Sequence, residues 1–455
     1  MMDTIAAIAT GNVIAAIGII RSSGDDAITI ADKVFRTKSV KSLTECEDRK
    51  LYYGELLNTE GNIIDRCLCT VSHAPHSYTG ENTVEFQCHG SPVVLGEGLR
   101  SLFKAGARQA EAGEFTKRAF LNRRMDLTQA EAVIDLIDAE TPLAAENAVG
   151  QLGRAIGRKT DKIYDDLVGM ISHFQAVIDY PDEDIDEFEM VRYTGLLNEA
   201  ESTLDRLLKT FDRGRIMREG VPSAIIGKPN TGKSSLLNAL LGYDRAIVTS
   251  IAGTTRDTIE EKATIGGVVL RLSDTAGLRE TDDTVEKMGV TRAMEAAKTA
   301  RLVIAVLDSS RTLTSEDEEA INTAKNAEYS ICIINKEDIC PEPVFEIPEG
   351  FDAVCHISAK TGEGLDSLTE AVKRLFGSDT SLPPGEILTN TRQAEAVSRA
   401  LDAISSARDA MELGMTPDAV LSIVENCCAA LGELTGRSVK DDIVSSIFSR
   451  FCVGK

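Results

Sequence analysis

A chain of 455 residues, 43% apolar and 27% charged, holds enough material for two to four domains with ample cores. Its net charge of −23 excludes a protein that coats nucleic acid by bulk attraction, so any RNA contact has to come from a local basic patch. No run approaches the ~20 apolar residues of a membrane span, and ten scattered cysteines without C-x-x-C spacing suit reduced thiols in a cytoplasmic protein.

Residues 1–121 read as an α+β unit. Strand-like runs at Val13–Ile20, Cys67–Val71 and Val84–Cys88 alternate with turns and a helical stretch near Leu95–Ala105. The apolar N-terminus carries Asp3 and no basic residue before Arg21, so it reads as a strand and not a signal peptide. Two places suggest a pocket, or else two surface loops. One is the turn Ser77-Tyr78-Thr79-Gly80-Glu81, which leads into a strand carrying Glu85. The other is Gly113-Glu114-Phe115-Thr116, which opens a segment dense in Arg and Lys. Lys104, Arg108, Lys117, Arg118, Arg123 and Arg124 form one candidate basic patch. Arg154, Arg158, Lys159 and Lys162 form another. Both also read as solvated helix faces.

Residues 122–217 turn helical. Thr128-Gln129-Ala130-Glu131 has the form of a capping box. Val133, Leu136 and Ile137, then Leu167, Ile171, Phe174 and Ile178, take helical spacing. The acidic run from Asp182 to Glu187 follows Tyr180-Pro181 and reads as an exposed loop. Residues 218–378 form an α/β nucleotide-binding domain, and Pro383-Pro384 marks a linker. Residues 379–455 return to helical spacing (Ala396, Val397, Ala400, Leu401, Ile404) and end in Phe451-Cys452-Val453-Gly454-Lys455. A complete domain flanked by helical segments predicts an insertion into an all-α domain.

The inserted domain carries four motifs in the order a guanine-nucleotide site needs. Gly227-Lys228-Pro229-Asn230-Thr231-Gly232-Lys233-Ser234 fits G-x-x-x-x-G-K-[ST], between a strand-like run (Ala224 to Ile226) and a helical pattern from Ser235. Glycines there let backbone N–H groups face an anion at a helix N-terminus. Lys233 is expected to reach the β/γ-phosphates and Ser234 to ligate Mg²⁺. Asp274-Thr275-Ala276-Gly277 offers a carboxylate to the Mg²⁺ shell and an N–H to the γ-phosphate. In Asn335-Lys336-Glu337-Asp338, the last residue matches the guanine N1–H and 2-amino donors, which adenine lacks. Ser358-Ala359-Lys360 would support the guanine O6. All four fall at carboxyl ends of strands, where open α/β sheets bind ligands. Leu278 stands where small Ras-like GTPases place a water-orienting Gln. Asn230 and the Thr-rich Gly253-Thr254-Thr255-Arg256-Asp257 point instead to a bound K⁺, with Thr255 a second Mg²⁺ ligand.

On these and further motifs the chain resembles the MnmE (TrmE) family of tRNA-modifying GTPases from end to end. The residues that carry the resemblance are G-K-P-N-T-G-K-S-S-L-L-N-A-L, A-G-T-T-R-D, D-T-A-G-L-R-E, S-Y-T-G-E-N, G-E-F-T-K-R-A-F-L-N, M-D-L-T-Q-A-E-A and the terminal F-C-V-G-K. The resemblance implies an N-terminal domain, related to folate-binding aminomethyltransferases, that dimerises and holds 5-formyl- or 5,10-methylene-tetrahydrofolate. It implies a P-loop GTPase domain inserted in a helical domain. With a flavin-dependent partner (MnmG, or GidA), which carries the FAD, the family adds a carboxymethylaminomethyl or aminomethyl group to C5 of the tRNA wobble uridine, position 34.

Matched residue by residue, the folate contacts fall on Arg21, Glu85, Arg124 and Lys455, with Cys452 serving the modification chemistry. The K⁺ shell falls on Asn230, Thr249, Ile251 and Thr254, and Glu286 organises the attacking water. Nucleotide contacts continue through Ser250, Ala252 and Gly253. There are departures at Gly11 to Ala16, Asn82, Ser91 and Ser22, which bear on the shape of the folate pocket and not on the GTPase core. The alternative function is a ribosome-assembly GTPase acting as a switchable binding factor. Such proteins share the P-N-x-G-K-S loop but usually add an RNA-binding domain or a second GTPase domain.

Overall fold

A computed structural model describes residues 3–11, 13–179, 187–243, 261–272, 293–377 and 383–438, together with 444, 447–449 and 451–454. The chain divides into two units: residues 1–134, 151–201 and 399–455 in one, 135–150 and 202–398 in the other.

The first unit holds β1 (Ile5–Ile8), β2 (Ala15–Ser23), β3 (Phe35–Thr37), β4 (Leu51–Leu57), β5 (Ile63–Ser72), β6 (Thr83–Gly90) and β7 (Arg108–Gln109). They form one sheet in the order β3-β4-β5-β6-β2-β1-β7, antiparallel except for the parallel β1–β7 pair. Period-two alternation builds its core: Tyr52 and Leu56, then Cys67, Cys69 and Val71, then Val84, Phe86 and Cys88 all point inward. The helix Pro92–Ala105 covers that face with Leu95 and Leu102. Against the three strand runs read from the sequence, β2 begins two residues later than Val13, while β5 and β6 extend the other two. Asn12 lies outside the described residues, and Val13 and Ile14 are exposed.

The helical flanks meet within this unit. The helix Ala155–Asp179 packs with Pro417–Thr435, and Arg437 pairs with Asp161 at 2.7 Å and lies over the Tyr164 ring. Leu167 and Phe174 are buried as the helical spacing predicted, but Ile137 and Ile178 are exposed. The capping box is shifted from its expected position. Asp126, not Thr128, precedes the helix Leu127–Ile137. Its Oδ1 accepts from the Gln129 N–H (2.9 Å), and Gln129 Oε1 accepts from the Asp126 N–H (3.0 Å). An aspartate two residues earlier offered an equally good cap, and Thr128 spends its hydroxyl on it. Of the acidic run, 182–186 lie outside the described residues, and Glu187 opens the helix Glu187–Leu208.

The second unit is built on β8 (Val221–Ile226), β9 (Glu261–Ile265), β10 (Val268–Leu272), β11 (Leu302–Asp308), β12 (Tyr329–Asn335) and β13 (Ala353–Ile357). The order is β13-β12-β11-β8-β10-β9, parallel except for the β9–β10 hairpin. Every residue of β11, and all but the first of β12, is buried, as a parallel sheet covered on both faces requires. Parallel register lines up Asp308, Asn335 and Ile357 at one edge, so the loops that follow these strands open together. Residues 135–150 and 202–217 fall in this second unit, whereas the sequence boundaries had grouped them with the first helical part. No described helix is long and apolar enough to cross a membrane.

Candidate functional site

β8 runs into the Gly227–Ser234 loop, and the helix Lys233–Tyr243 follows. Gly227 has φ +145°, and a Cβ there would stand 2.4 Å from the Val306 carbonyl oxygen. Gly232 has φ +98°, and its Cβ would stand 2.1 Å from Asn335 Nδ2. No side chain fits either position, so glycine alone permits this tight cradle. Asn230, at the exposed tip, has φ +62°. Lys233 is buried, and its Nζ donates to the Lys228 carbonyl oxygen at 2.8 Å. It therefore sits within the loop with an acceptor that a phosphate oxygen can replace. Ser234 and Ser235 occupy the first helical turn and are exposed. A hydroxyl at that helix start suits a hard divalent cation beside a phosphate.

The base-recognition end is held by one amide. Asn335 Nδ2 donates to the Thr231 carbonyl oxygen (2.7 Å), and Asn335 Oδ1 accepts from the Ala359 N–H (2.9 Å). Three separate sequence motifs are joined through this side chain, which is 2% exposed. Asp338 Oδ1 accepts from Ser358 Oγ at 2.8 Å, and Asp338 itself remains exposed for a ligand. Lys336 has φ +74° and pairs through Nζ with Asp308 Oδ2 at 2.7 Å. Burial alone would raise the Asp308 carboxyl, but hydrogen bonds from Lys336 and Ser310 outweigh it and hold it below the usual carboxylate range. Asp308 was not among the residues singled out from sequence. Its signal was its place at the end of the buried strand neighbouring Asn335. Lys360 is exposed beside Ala359. Thr249 to Thr255, Asp274 to Gly277, Leu278 and Glu286 lie outside the described residues, as does Lys455.

The two pocket-like stretches of the first unit come together. The Tyr78 hydroxyl and Thr116 Oγ1 are 2.9 Å apart, and the Arg21 guanidinium lies 5.6 Å from the Tyr78 ring centroid and 5.7 Å from that of Phe115. Burial pushes the Tyr78 phenol above its usual range, with the Thr116 contact and the Arg21 charge acting the other way. Arg21 and Glu85 are directly opposed on β2 and β6, and Arg21 Nε donates to Glu85 Oε1 at 2.7 Å. Both are half-buried. The two terminal nitrogens of Arg21 make no hydrogen bond among the described residues, so donors remain for a ligand's acceptors. The pairing places the Arg21 guanidinium and the Glu85 carboxylate side by side on the sheet. Arg124 lies against the same turn: a Cβ on Gly80 would stand 3.2 Å from Arg124 Cγ.

The C-terminal tail reaches this region. Val453 bridges Ala112, the Gly113 N–H donates to the Cys452 carbonyl oxygen (3.3 Å), and Phe451 is buried beside Gly113 while Cys452 is exposed. Tyr78, Phe115 and Thr116 stand within two of the sequence motifs without a feature that marks them individually. Their role as walls emerges only from the contacts.

The first basic patch does not survive as one. Arg118 is 4% exposed and donates to Glu81, Glu114 and Asp3, while Arg108 pairs with Asp3 and Glu114. These carboxylates neutralise both arginines and lock helix Glu114–Leu121 to the Ser77–Glu81 turn. In the second patch Arg154 pairs with Asp126 and Asp161, and Lys162 with Glu199.

Comparisons with known proteins place the chain among relatives. A family model described as the MnmE helical domain matches residues 127–452, and one described as the GTP-binding protein TrmE N-terminus matches residues 4–124. A tRNA modification GTPase MnmE of Alkaliphilus metalliredigens (strain QYMF) is 43% identical over 459 residues, covering 100% of this chain and 99% of that one. Its counterpart from Thermoanaerobacter sp. (strain X514) is 43% identical over 465 residues, covering 100% of both. A solved structure of Era with MgGDPNP and 16S ribosomal RNA nucleotides is 25% identical over 40% of this chain and 65% of that one, with a TM-score of 0.26. On the family model that spans most of its length and the full-length relatives, the chain belongs to the MnmE (TrmE) family of tRNA modification GTPases.

Proposed function

We propose that this tRNA modification GTPase hydrolyses GTP in a K⁺-dependent manner in the cytoplasm. As a homodimer with a flavin-dependent MnmG (GidA) partner, it would place a carboxymethylaminomethyl or aminomethyl group on C5 of wobble uridine 34. The observation that carries the reading is the Asn335 clamp with Asp338 beside it, because it holds the phosphate loop and the base-recognition loops as one surface.

In this reading Lys233 leaves the Lys228 carbonyl for the β/γ-phosphates, and Asp338 accepts from guanine. Ser234 and Thr255 would hold Mg²⁺; Asn230, Thr249, Ile251 and Thr254 would hold K⁺. Asp274 to Gly277 would complete the phosphate contacts, and Glu286 would order the attacking water. When bound, the cations supply positive charge where the transition state develops negative charge. A reduced folate supplies a one-carbon unit. Arg21 and Glu85 would orient one end of it, Arg124 and Lys455 would meet its carboxylates, and Cys452 would serve the transfer. The half-buried Arg21 with unspent donors, stacked between Tyr78 and Phe115, supports an acceptor-rich planar ligand there.

The test is a nucleotide titration. Native protein should bind GTP far more tightly than ATP, and Asp338→Asn should transfer that preference to xanthosine triphosphate. Equal affinity for ATP and GTP would overturn the reading.

A further inference from the structure

A cavity of about 660 Å³ opens in the first unit between residues 120–129 and 435–438. Its volume lies within the range of small-molecule sites, ~300–1,000 Å³. Phe120, Met125 and Val444 supply apolar wall. Among the described residues four arginines line it, Arg123, Arg124, Arg154 and Arg437, against one acidic residue, Asp126. In a chain of net charge −23 this concentration stands out, and carboxylates of the fold account for only part of it.

Asp126 is already committed: it accepts from Thr128, from the Gln129 N–H and from Arg154. Arg154 and Arg437 are fixed by Asp161, and Arg437 also stacks on Tyr164 at 4.4 Å. Arg123 and Arg124 have no ionic partner among the described residues. The cavity adjoins the Ser77–Glu81 turn. Asn122 Nδ2 donates to the Thr79 carbonyl oxygen at 2.8 Å, and Arg124 leans on Gly80. The next residue back, Tyr78, carries the Arg21 guanidinium. A run of contacting surface residues therefore links the Arg21–Glu85 pair, through Tyr78, Gly80 and Arg124, to the arginine-lined cavity.

We infer that this cavity binds the γ-linked polyglutamate tail of the reduced folate, a flexible chain with one carboxylate per residue. The inference rests on the folate reading above and adds a specificity to it. A chain of spaced carboxylates matches fixed and unspent guanidiniums arranged around one concavity, and its path from the ring end is the surface just described.

Calorimetry on the full-length chain tests it, with 5-formyl-tetrahydrofolate carrying one or three glutamates. The triglutamate should bind about fivefold more tightly at low salt, as two half-solvated ion pairs allow. The advantage should shrink as salt rises. Arg123→Glu, at an exposed position with no ionic partner, should cancel it, with Arg123→Ala as a milder check. Equal affinity of native protein for both ligands overturns the inference and leaves the folate reading standing. Failure of both ligands to bind overturns the folate reading and the inference together. If Arg123→Glu weakens tRNA binding while the triglutamate advantage persists, the cavity is an RNA site and the inference falls.

Discussion

Asn335 spends both ends of its amide on backbone, one on the phosphate loop and one on the Ser358–Lys360 loop. Replacing it with Ala leaves two buried backbone groups unpaired, each worth ~1–3 kcal/mol. Asn335→Ala should therefore weaken GTP binding by that order, measured by titration with a slowly hydrolysed GTP analogue. Arg118 is the corresponding residue of the first unit. Arg118→Ala would leave Glu81 without an ionic partner in the interior, Glu114 keeping Arg108, at a cost of about 3–5 kcal/mol, read as a large fall in melting temperature.

The same cluster sets a pH dependence. Hydrogen bonds from Arg108 hold the Asp3 carboxyl below its usual range. Burial raises Glu114, but Arg108, the Glu111 backbone N–H and Arg118 outweigh it. Lowered folded-state values contribute stability that is complete above the ordinary carboxylate pKa and lost as pH falls through the depressed one. The melting temperature should therefore drop on acidification through the carboxylate range, and less steeply in Arg118→Met. The motifs around Asn335 were legible because each is a contiguous tetrapeptide. The partners of Arg118 were not, because Asp3 and Glu81 lie 115 and 37 residues away along the chain.

Among the elements, residues 383–389 changed most between sequence and structure. Two prolines there read as a linker. The segment is instead clasped by the helices Pro142–Leu152 and Phe211–Glu219. Asn147 Oδ1 accepts from the Gly385 N–H at 2.9 Å, Thr210 Oγ1 accepts from the Leu388 N–H at 3.0 Å, and the Thr389 hydroxyl donates to Asp135 at 2.7 Å. Two glycines make the approach possible. A Cβ on Gly150 would meet the Pro384 oxygen at 2.5 Å, and one on Gly214 would meet the Leu388 oxygen at 1.9 Å. Gly214→Ala should thus lower stability by about 1–3 kcal/mol despite alanine's better helix propensity, checked by denaturant titration. Composition identified the prolines but not the contact, since its partners lie up to 254 residues away. Strands, by contrast, were legible wherever period-two burial or a continuous apolar run marked them, as in β6 and β12.

At the scale of the whole chain, each unit has its own arrangement: the nucleotide motifs at the carboxyl edge of one sheet, and the Arg21–Glu85 pair with the C-terminal tail beside Gly113 in the other. Deleting residues 451–455 should abolish tRNA modification and leave GTP hydrolysis in place, because Val453 and Cys452 bond to Ala112 and Gly113 of the first unit. Hydrolysis should run faster in K⁺ than in Na⁺ if a K⁺ held by Asn230, rather than an arginine finger, supplies the positive charge. The most direct test of the account is mass spectrometry of the wobble nucleoside in tRNA from cells lacking this gene. Restoring the native chain should return the C5 aminomethyl-type group, and restoring Lys233→Ala should not. A modified uridine that persists without the gene, or that Lys233→Ala restores in full, would contradict it.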